Sequence, residues 1–405
     1  MKTLKYIIIL ILFIIATIWS YNLRDPHLLP FRDYEIVSLL ILFILTSVLA
    51  LLLETKILCY SILFLSIILM TKTVITESYF LYVKSNILNT PSYLHRLINK
   101  QLIIGFNDIS EIEKLSINGI AGIYITKRNI KGKSLTEVRH ILSQLQLKRK
   151  QAGLPPLIIT TDQEGGPVSR LSPLIEQQPA LNSLVSRDNS SDMAFEYGKK
   201  QGKLLKNIGI NVNFGPVVDL MPIKPVLALD FHTQINTRAI SDSPQKIIQI
   251  ALPYIKGLER NGITATLKHF PGLGKVNSDT HHFSAELEVP VADLITKDWL
   301  PFTILSSQTN SWIMLSHVTL NQVDQLNPVS TSKIVVDNII RKQLGFTGIL
   351  ITDDLTMGAT YNRGFCKSVL GAYNADIDYL LIAYDYEKYY DLIHCIEQNI
   401  EKLYY

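Results

Sequence analysis

Charge is scarce in this chain, and cysteine scarcer. Asp, Glu, Lys and Arg make up only 18% of 405 residues, and there are three cysteines. The formal net charge of +4 is small, and no Lys/Arg block occurs. That excludes a nucleic-acid partner held through phosphate contacts. Cys59, Cys366 and Cys395 lack metal-ligand spacing, so no metal is implied. Cys59 lies in an apolar run and is expected to be packed or lipid-facing; Cys366 and Cys395 are expected as two lone thiols. Also missing are a G-x-G-x-x-G phosphate loop, an internal repeat and a low-complexity linker. The length allows one or two domains with a large core.

What is abundant is apolar surface, unevenly placed. Hydrophobic residues make up 47% of the chain, and they crowd its start. Three stretches, Tyr6 to Trp19, Ile36 to Leu53 and Ile57 to Met70, follow one another, and the middle one is 18 uncharged residues long. That length reads as a membrane span, and the outer two reach it once flanking residues are included. Trp19, Tyr21 and Tyr34 suit interfacial positions. The first stretch, behind Lys2 and Lys5, has the alternative of a signal peptide, but no clear small-x-small cleavage site follows. Residues 1–85 are therefore expected to be a helical membrane region of about three spans, with the bilayer as partner. An inside N-terminus would put Lys2, Lys5 and Lys56 in the cytoplasm and Arg24 and Arg32 outside. The positive-inside count barely separates this from the reverse. Three spans starting inside would place the large domain on the extracytoplasmic side.

From about residue 100 the texture changes. Eight short β-branched-rich runs begin near residues 102, 119, 155, 208, 264, 312, 348 and 377. Stretches of helical periodicity, such as 136–150 and 244–260, separate most of them. Runs apolar almost throughout, alternating with helices, indicate parallel strands buried on both faces. The fold class expected for residues 95–405 is α/β, a (β/α)8 TIM barrel, with a doubly wound open sheet as the competitor. Function in such a barrel sits at the C-terminal ends of strands. Those ends carry Asp162, Asp219, Lys268 with His269, Ser316 with His317, and Asp353 with Asp354. Ionisable groups there are costly unless paired, so their convergence reads as an active site.

Four stretches carry the chemistry: 160-TTDQEGGPVSRL, 268-KHFPGLGKVNSDTHH, 345-GFTGILITDDLTMGA and, more weakly, Arg238 in 236-NTRAISDSP. The glycine pair after Glu164 is read as letting backbone approach a ligand closely. These motifs resemble glycoside hydrolase family 3, specifically its single-domain bacterial β-N-acetylglucosaminidases of peptidoglycan recycling. The family's D-Q-E-G-G, K-H-F-P-G-x-G…D-[ST]-H and [ST]-D-D-L-x-M motifs appear in order, over roughly residues 95 to 390. The resemblance implies that Asp353 is the nucleophile and His281 the acid/base, oriented by Asp279. It also implies that Asp162, Arg170, Arg238, Lys268 and His269 hold an N-acetylglucosamine unit.

A retaining glycosidase needs one carboxylate to attack the anomeric carbon and one proton carrier on the leaving-group side. A histidine can be that carrier near neutral pH. Successive strand side chains point to opposite faces, so only one of Asp353 and Asp354 is expected to face the sugar; the resemblance implies that it is Asp353, which leaves Asp354 structural. Asp219 is expected to be structural, with substrate contact as the alternative, and the resemblance gives His317 a pocket-lining position, with a structural role as its alternative. Two residues depart from the resembled pattern: Leu273 stands where His is usual, and Pro167 where Arg is frequent. The function implied is exo-hydrolysis of terminal β-linked N-acetylglucosamine from muropeptides or chitin-type oligosaccharides, by a monomeric catalytic domain without metal or organic cofactor. A phosphorylase on the same scaffold and a catalytically idle, membrane-tethered glycan-binding protein are the alternatives.

Overall fold

The computed structural model describes residues 2–222, 233–276, 279 and 284–403. The chain divides into two compact units, Met1–Thr90 and Pro91–Tyr405.

Three long helices make up most of the first unit: α1 (Lys2–Tyr21), α2 (Glu35–Ala50) and α3 (Lys56–Asn89). All are long and apolar enough to cross a membrane, α2 together with the 3-10 turn Pro26–Tyr34 that leads into it. They pack through two buried clusters, Ile9 with Ala50, Leu53, Cys59 and Ile62, and Ala16 with Leu39, Phe43 and Leu69. Cys59 is thus packed between helices. α3 runs 34 residues, far beyond the apolar stretch that ends at Met70. At 1.5 Å per residue it is roughly 51 Å long, more than a ~30 Å hydrocarbon core requires. The polar groups cluster at its C-terminal half. Arg24 makes a forked pair with Glu77 (3.0 and 2.6 Å) and stacks 3.4 Å over the Phe80 ring. Trp19 Nε1 donates to Glu35 (3.1 Å), and Lys72 Nζ donates to the Ser20 carbonyl (2.8 Å). At the opposite end Lys5 donates to the Leu52 carbonyl and Tyr6 meets Thr55.

The second unit is a closed barrel of eight parallel strands in which each strand lies beside its neighbour in sequence. The strands are β1 (Leu102–Ile104), β2 (Gly122–Tyr124), β3 (Ile158–Thr161), β4 (Val212–Asn213), β5 (Thr264–Phe270), β6 (Trp312–Leu315), β7 (Leu350–Asp354) and β8 (Tyr379–Ile382). β8 closes onto β1 with Leu102 opposite Leu380. All eight runs read from the sequence are present, and the closed ring excludes the open sheet. Helices fill the crossovers, including Leu135–Gln151, started by a Ser134–Glu137 capping box, and Pro244–Glu259, capped by Ser243. The interior is filled by inward residues of alternate strands, among them Val212, Phe214, Trp312, Met314 and Leu381. Trp312 stacks on Tyr379 at the strands' N-terminal ends, and Tyr124 stacks on Phe214 near their C-terminal ends. That second layer is the floor beneath the rim. The run after 312 does not continue as one strand. Val318–Leu320 leaves the barrel and pairs in parallel with Ala285–Leu287.

Cys366 and Cys395 are not lone thiols but a disulfide, with Cα atoms 5.6 Å apart. Helices Phe365–Asn374 and Lys388–Gln398 lie side by side and bring the two positions into bonding range. A spacing of 29 residues carries no trace of that packing.

Candidate active site

The rim above β3, β4, β5 and β7 holds a pocket lined by Asp162, Glu164, Arg170, Arg238, Lys268, His269, Asp353 and Asp354. Tyr124, Tyr384, Met314, Met357 and Leu381 complete it, so one wall is charged and another is apolar.

Asp162 directly follows β3. Beyond it the chain folds into a small hairpin, Gln163–Gly165 against Val168–Ser169, that brings the Arg170 amide back to the Asp162 carbonyl (3.0 Å). The glycine pair makes the turn, with φ of 91° at Gly165 and 60° at Gly166. A Cβ at Gly165 would lie 2.1 Å from the Tyr197 hydroxyl, and one at Gly166 would lie 2.8 Å from Ala180. The close approach is therefore to the protein's own chain, which corrects the reading of these glycines as ligand-facing. Pro167 sits exposed at the hairpin tip.

Charge is organised around Glu164 and Lys268, both buried. Lys268 Nζ reaches Asp162 Oδ1 (2.5 Å) and Glu164 Oε1 (2.6 Å). Arg238, from the single turn Ile235–Arg238, forks onto Glu164 through Nε (3.0 Å) and Nη2 (2.8 Å). Burial pushes the Glu164 carboxyl up, but Arg238 and Lys268 outweigh it and hold it at about 2. Burial disfavours the Lys268 ammonium, yet Asp162 and Glu164 more than compensate and raise its pKa. Glu164, Arg238 and Lys268 thus stay charged although buried, because each is paired with opposite charge. Tyr124 donates its hydroxyl to Asp162; burial and that carboxylate keep the phenol well above its usual pKa, hence protonated. The Arg170 guanidinium lies 5.6 Å over the Tyr384 ring, and its buried Nε has no hydrogen-bond partner among the described residues.

His269 is held by Asp219, which is completely buried. Asp219 accepts from His269 Nδ1 (2.8 Å), from the His269 amide (3.1 Å) and from the Leu273 amide (2.9 Å). The tautomer with hydrogen on Nδ1 leaves Nε2 to accept from Arg238 Nη2 at 3.3 Å. Leu273 therefore contributes through its backbone, so the departure from His keeps this link. Asp279 is buried and accepts from Thr233 Oγ1 (2.8 Å), while the Thr233 carbonyl accepts from Arg238 Nη1 (2.8 Å). Asp279 is not among the residues lining the pocket, and His281 lies outside the described residues.

The two carboxylates ending β7 differ. Asp354 accepts four hydrogen bonds, from the amides of Thr356, Ala383 and Tyr384 and from the Thr356 hydroxyl, at 2.9–3.1 Å. It ties the β7 end to the β8 end. His317 does not line the pocket, contrary to expectation. Both ring nitrogens are engaged below the rim, Nδ1 with Ser330 Oγ (2.7 Å) and Nε2 with the Asp354 carbonyl (2.9 Å).

Sequence reasoning missed Glu164, Tyr124 and Tyr384. Glu164 stood inside a quoted motif without a role. The tyrosines end β2 and follow β8, where nothing in the sequence distinguishes a phenol that faces the pocket from a core aromatic.

A closed parallel barrel with paired acids, cations and an oriented imidazole at its C-terminal rim is a TIM-barrel enzyme. The comparisons narrow this. Residues 98–404 match the model of the glycosyl hydrolase family 3 N-terminal domain. A β-hexosaminidase from Histophilus somni is 32% identical over 284 residues, which is 67% of this chain and 76% of that one. The family 3 β-N-acetylglucosaminidase of a Paenibacillus species superposes with a TM-score of 0.67 at 25% identity, over 76% of this chain and 60% of that one. NagZ from Neisseria gonorrhoeae, in complex with N-trifluoroacetyl-D-glucosamine, superposes with a TM-score of 0.62 at 27% identity, over 74% of this chain and 84% of that one. The chain belongs to glycosyl hydrolase family 3 and is a glycoside hydrolase.

Proposed function

We propose that the second unit is a retaining exo-β-N-acetylhexosaminidase that releases terminal β-linked N-acetylglucosamine from muropeptides or related oligosaccharides. The observation that carries this reading is the shared pocket of Asp162, Arg170, Arg238, Lys268, His269 and Asp353, assembled from four separate chain segments. The charged wall suits sugar hydroxyls, and Met314, Met357 and Leu381 suit the acetamido methyl. The names of the relatives, β-hexosaminidase and β-N-acetylglucosaminidase, support the same sugar.

In the proposed mechanism Asp353 attacks the anomeric carbon while His281 protonates the departing oxygen, giving a glycosyl ester on Asp353. His281, now neutral, takes a proton from water as the water attacks that ester, which restores the free carboxylate. Asp279 is the positioning residue for His281. Lys268, Arg238 and Arg170 would orient the sugar, and Glu164 holds the first two in place.

The first unit, taken as residues 1–90, is proposed to anchor the enzyme through three membrane spans. The packing of α1 against α2 and α3 supports retention of the first apolar stretch over its removal as a signal peptide. The Cys366–Cys395 disulfide supports an extracytoplasmic catalytic unit, because disulfides persist in oxidising compartments.

The test follows the anomeric proton of the sugar first released from an aryl β-N-acetylglucosaminide by NMR. The β-anomer is expected; an initial α-anomer would contradict the double displacement. Faster turnover with added phosphate, yielding the sugar 1-phosphate, would identify the phosphorylase instead.

A further inference from the structure

At the opposite end of the barrel from the active site, a cavity of about 640 Å³ opens between the helix Tyr93–Asn99, the loops leading into β2 and β3, and the start of β8. Its charged lining is entirely cationic: Arg96, Lys100 and Arg149, with no carboxylate. Arg149 is only 4% exposed. Its Nε and Nη1 donate to the carbonyls of Pro155 (2.5 Å) and Ser116 (2.7 Å), and no carboxylate balances its charge among the described residues. A buried charge left without a counter-ion is costly, and an anionic ligand would remove that cost. Arg96 and Lys100, both exposed, likewise make no side-chain hydrogen bond or ion pair among the described residues. The remaining walls are largely apolar, with Leu97, Ile117, Leu154 and Pro156.

We infer that this cavity is a binding site for an acidic phospholipid of the bilayer, its phosphate held by Arg96, Lys100 and Arg149 and its acyl region by the apolar wall. A free phosphate would leave the apolar wall unused, whereas a lipid satisfies both parts. The volume falls within the range of small-molecule sites. The cationic helix starts at Tyr93, four residues after α3 ends at Asn89, so the cavity belongs to the part of the barrel nearest in sequence to the proposed spans. The inference rests on the reading of α1–α3 as a membrane anchor.

The full chain, purified in neutral detergent, is titrated with phosphatidylglycerol or phosphatidylcholine, and bound lipid is counted by native mass spectrometry. One phosphatidylglycerol per chain is expected, bound at least tenfold more tightly than phosphatidylcholine. An Arg96→Ala/Lys100→Ala variant should lose that preference; a Lys131→Ala/Lys133→Ala variant, altered at other basic positions, should keep it. Equal binding of the two lipids, or an unchanged preference in Arg96→Ala/Lys100→Ala, would overturn the site. Inorganic phosphate competing at the lipid's own concentration would also overturn it, by showing a free-anion site. Recovery of the full chain in the soluble fraction without detergent would remove the anchor reading, and the lipid site with it.

Discussion

Glu164 joins the two buried cations of the pocket, because Arg238 and Lys268 both converge on its carboxylate. Glu164→Gln would leave two buried cations facing a neutral amide. Breaking a buried pair in this way should cost about 3 kcal/mol or more. Urea unfolding of residues 91–405 measures that loss, and KM should rise because Arg238 and Lys268 lose their positions. The same carboxylate sets an acid limb. Its folded pKa, about 2, lies below the ordinary 4.5, so its contribution is fully present above 4.5 and is lost as pH falls from there toward 2. A shift of that size corresponds to roughly 3 kcal/mol. Urea midpoints at pH 6 and pH 3 should therefore differ more in the wild type than in Glu164→Gln; equal differences would refute this role. Much of the pocket was legible because strand ends in a barrel converge: run boundaries brought up Asp162, Lys268, His269 and the Asp353–Asp354 pair, and only the family resemblance chose Asp353 from that pair. Glu164 was not, because its role depends on a hairpin that turns it back toward Lys268. His317 misled because a strand-end position does not reveal that both ring nitrogens are already bonded below the rim.

At the scale of elements, eight apolar runs were sufficient to give the barrel, since strands buried on both faces leave continuous hydrophobic signatures. What stayed hidden were partnerships between segments distant in sequence. The departure of Val318–Leu320 to pair with Ala285–Leu287 is one. The tether from Asp354 to the amides of Ala383 and Tyr384 is another. The Cys366–Cys395 bridge is a third, and it ties the helix that follows the β7 loop to the helix after β8. Closing a loop of 29 residues, it should stabilise the catalytic unit by about 3–4 kcal/mol. Cys366→Ser should lower the denaturant midpoint accordingly. Reductant should lower the wild type to the same level while leaving Cys366→Ser unmoved; a midpoint insensitive to both would show that the bridge does not form in solution.

The whole molecule joins a three-helix apolar unit to a barrel hydrolase. The hydrophobic length of the first unit was plain in the sequence, but the 34-residue extent of α3 was not, because its second half is too polar to count as a span. Arg24 and Glu77 explain how that half joins the unit: their charges pair with each other. If the barrel lies outside the cytoplasm, a membrane-impermeant protease added to intact cells should degrade residues 91–405 and spare a fragment holding α1–α3. Protection of the barrel would place it inside.

Catalysis by Asp353 in an N-acetylglucosamine pocket is the centre of the account, and hydrolysis of matched aryl glycosides tests it most directly. Residues 91–405 should cleave the aryl β-N-acetylglucosaminide far faster than the aryl β-glucoside. Asp353→Ala should lose about 10⁴-fold or more in kcat, the scale of a missing nucleophile, with an unchanged unfolding midpoint. Equal rates on the two glycosides, activity on neither, or wild-type turnover in Asp353→Ala would contradict it.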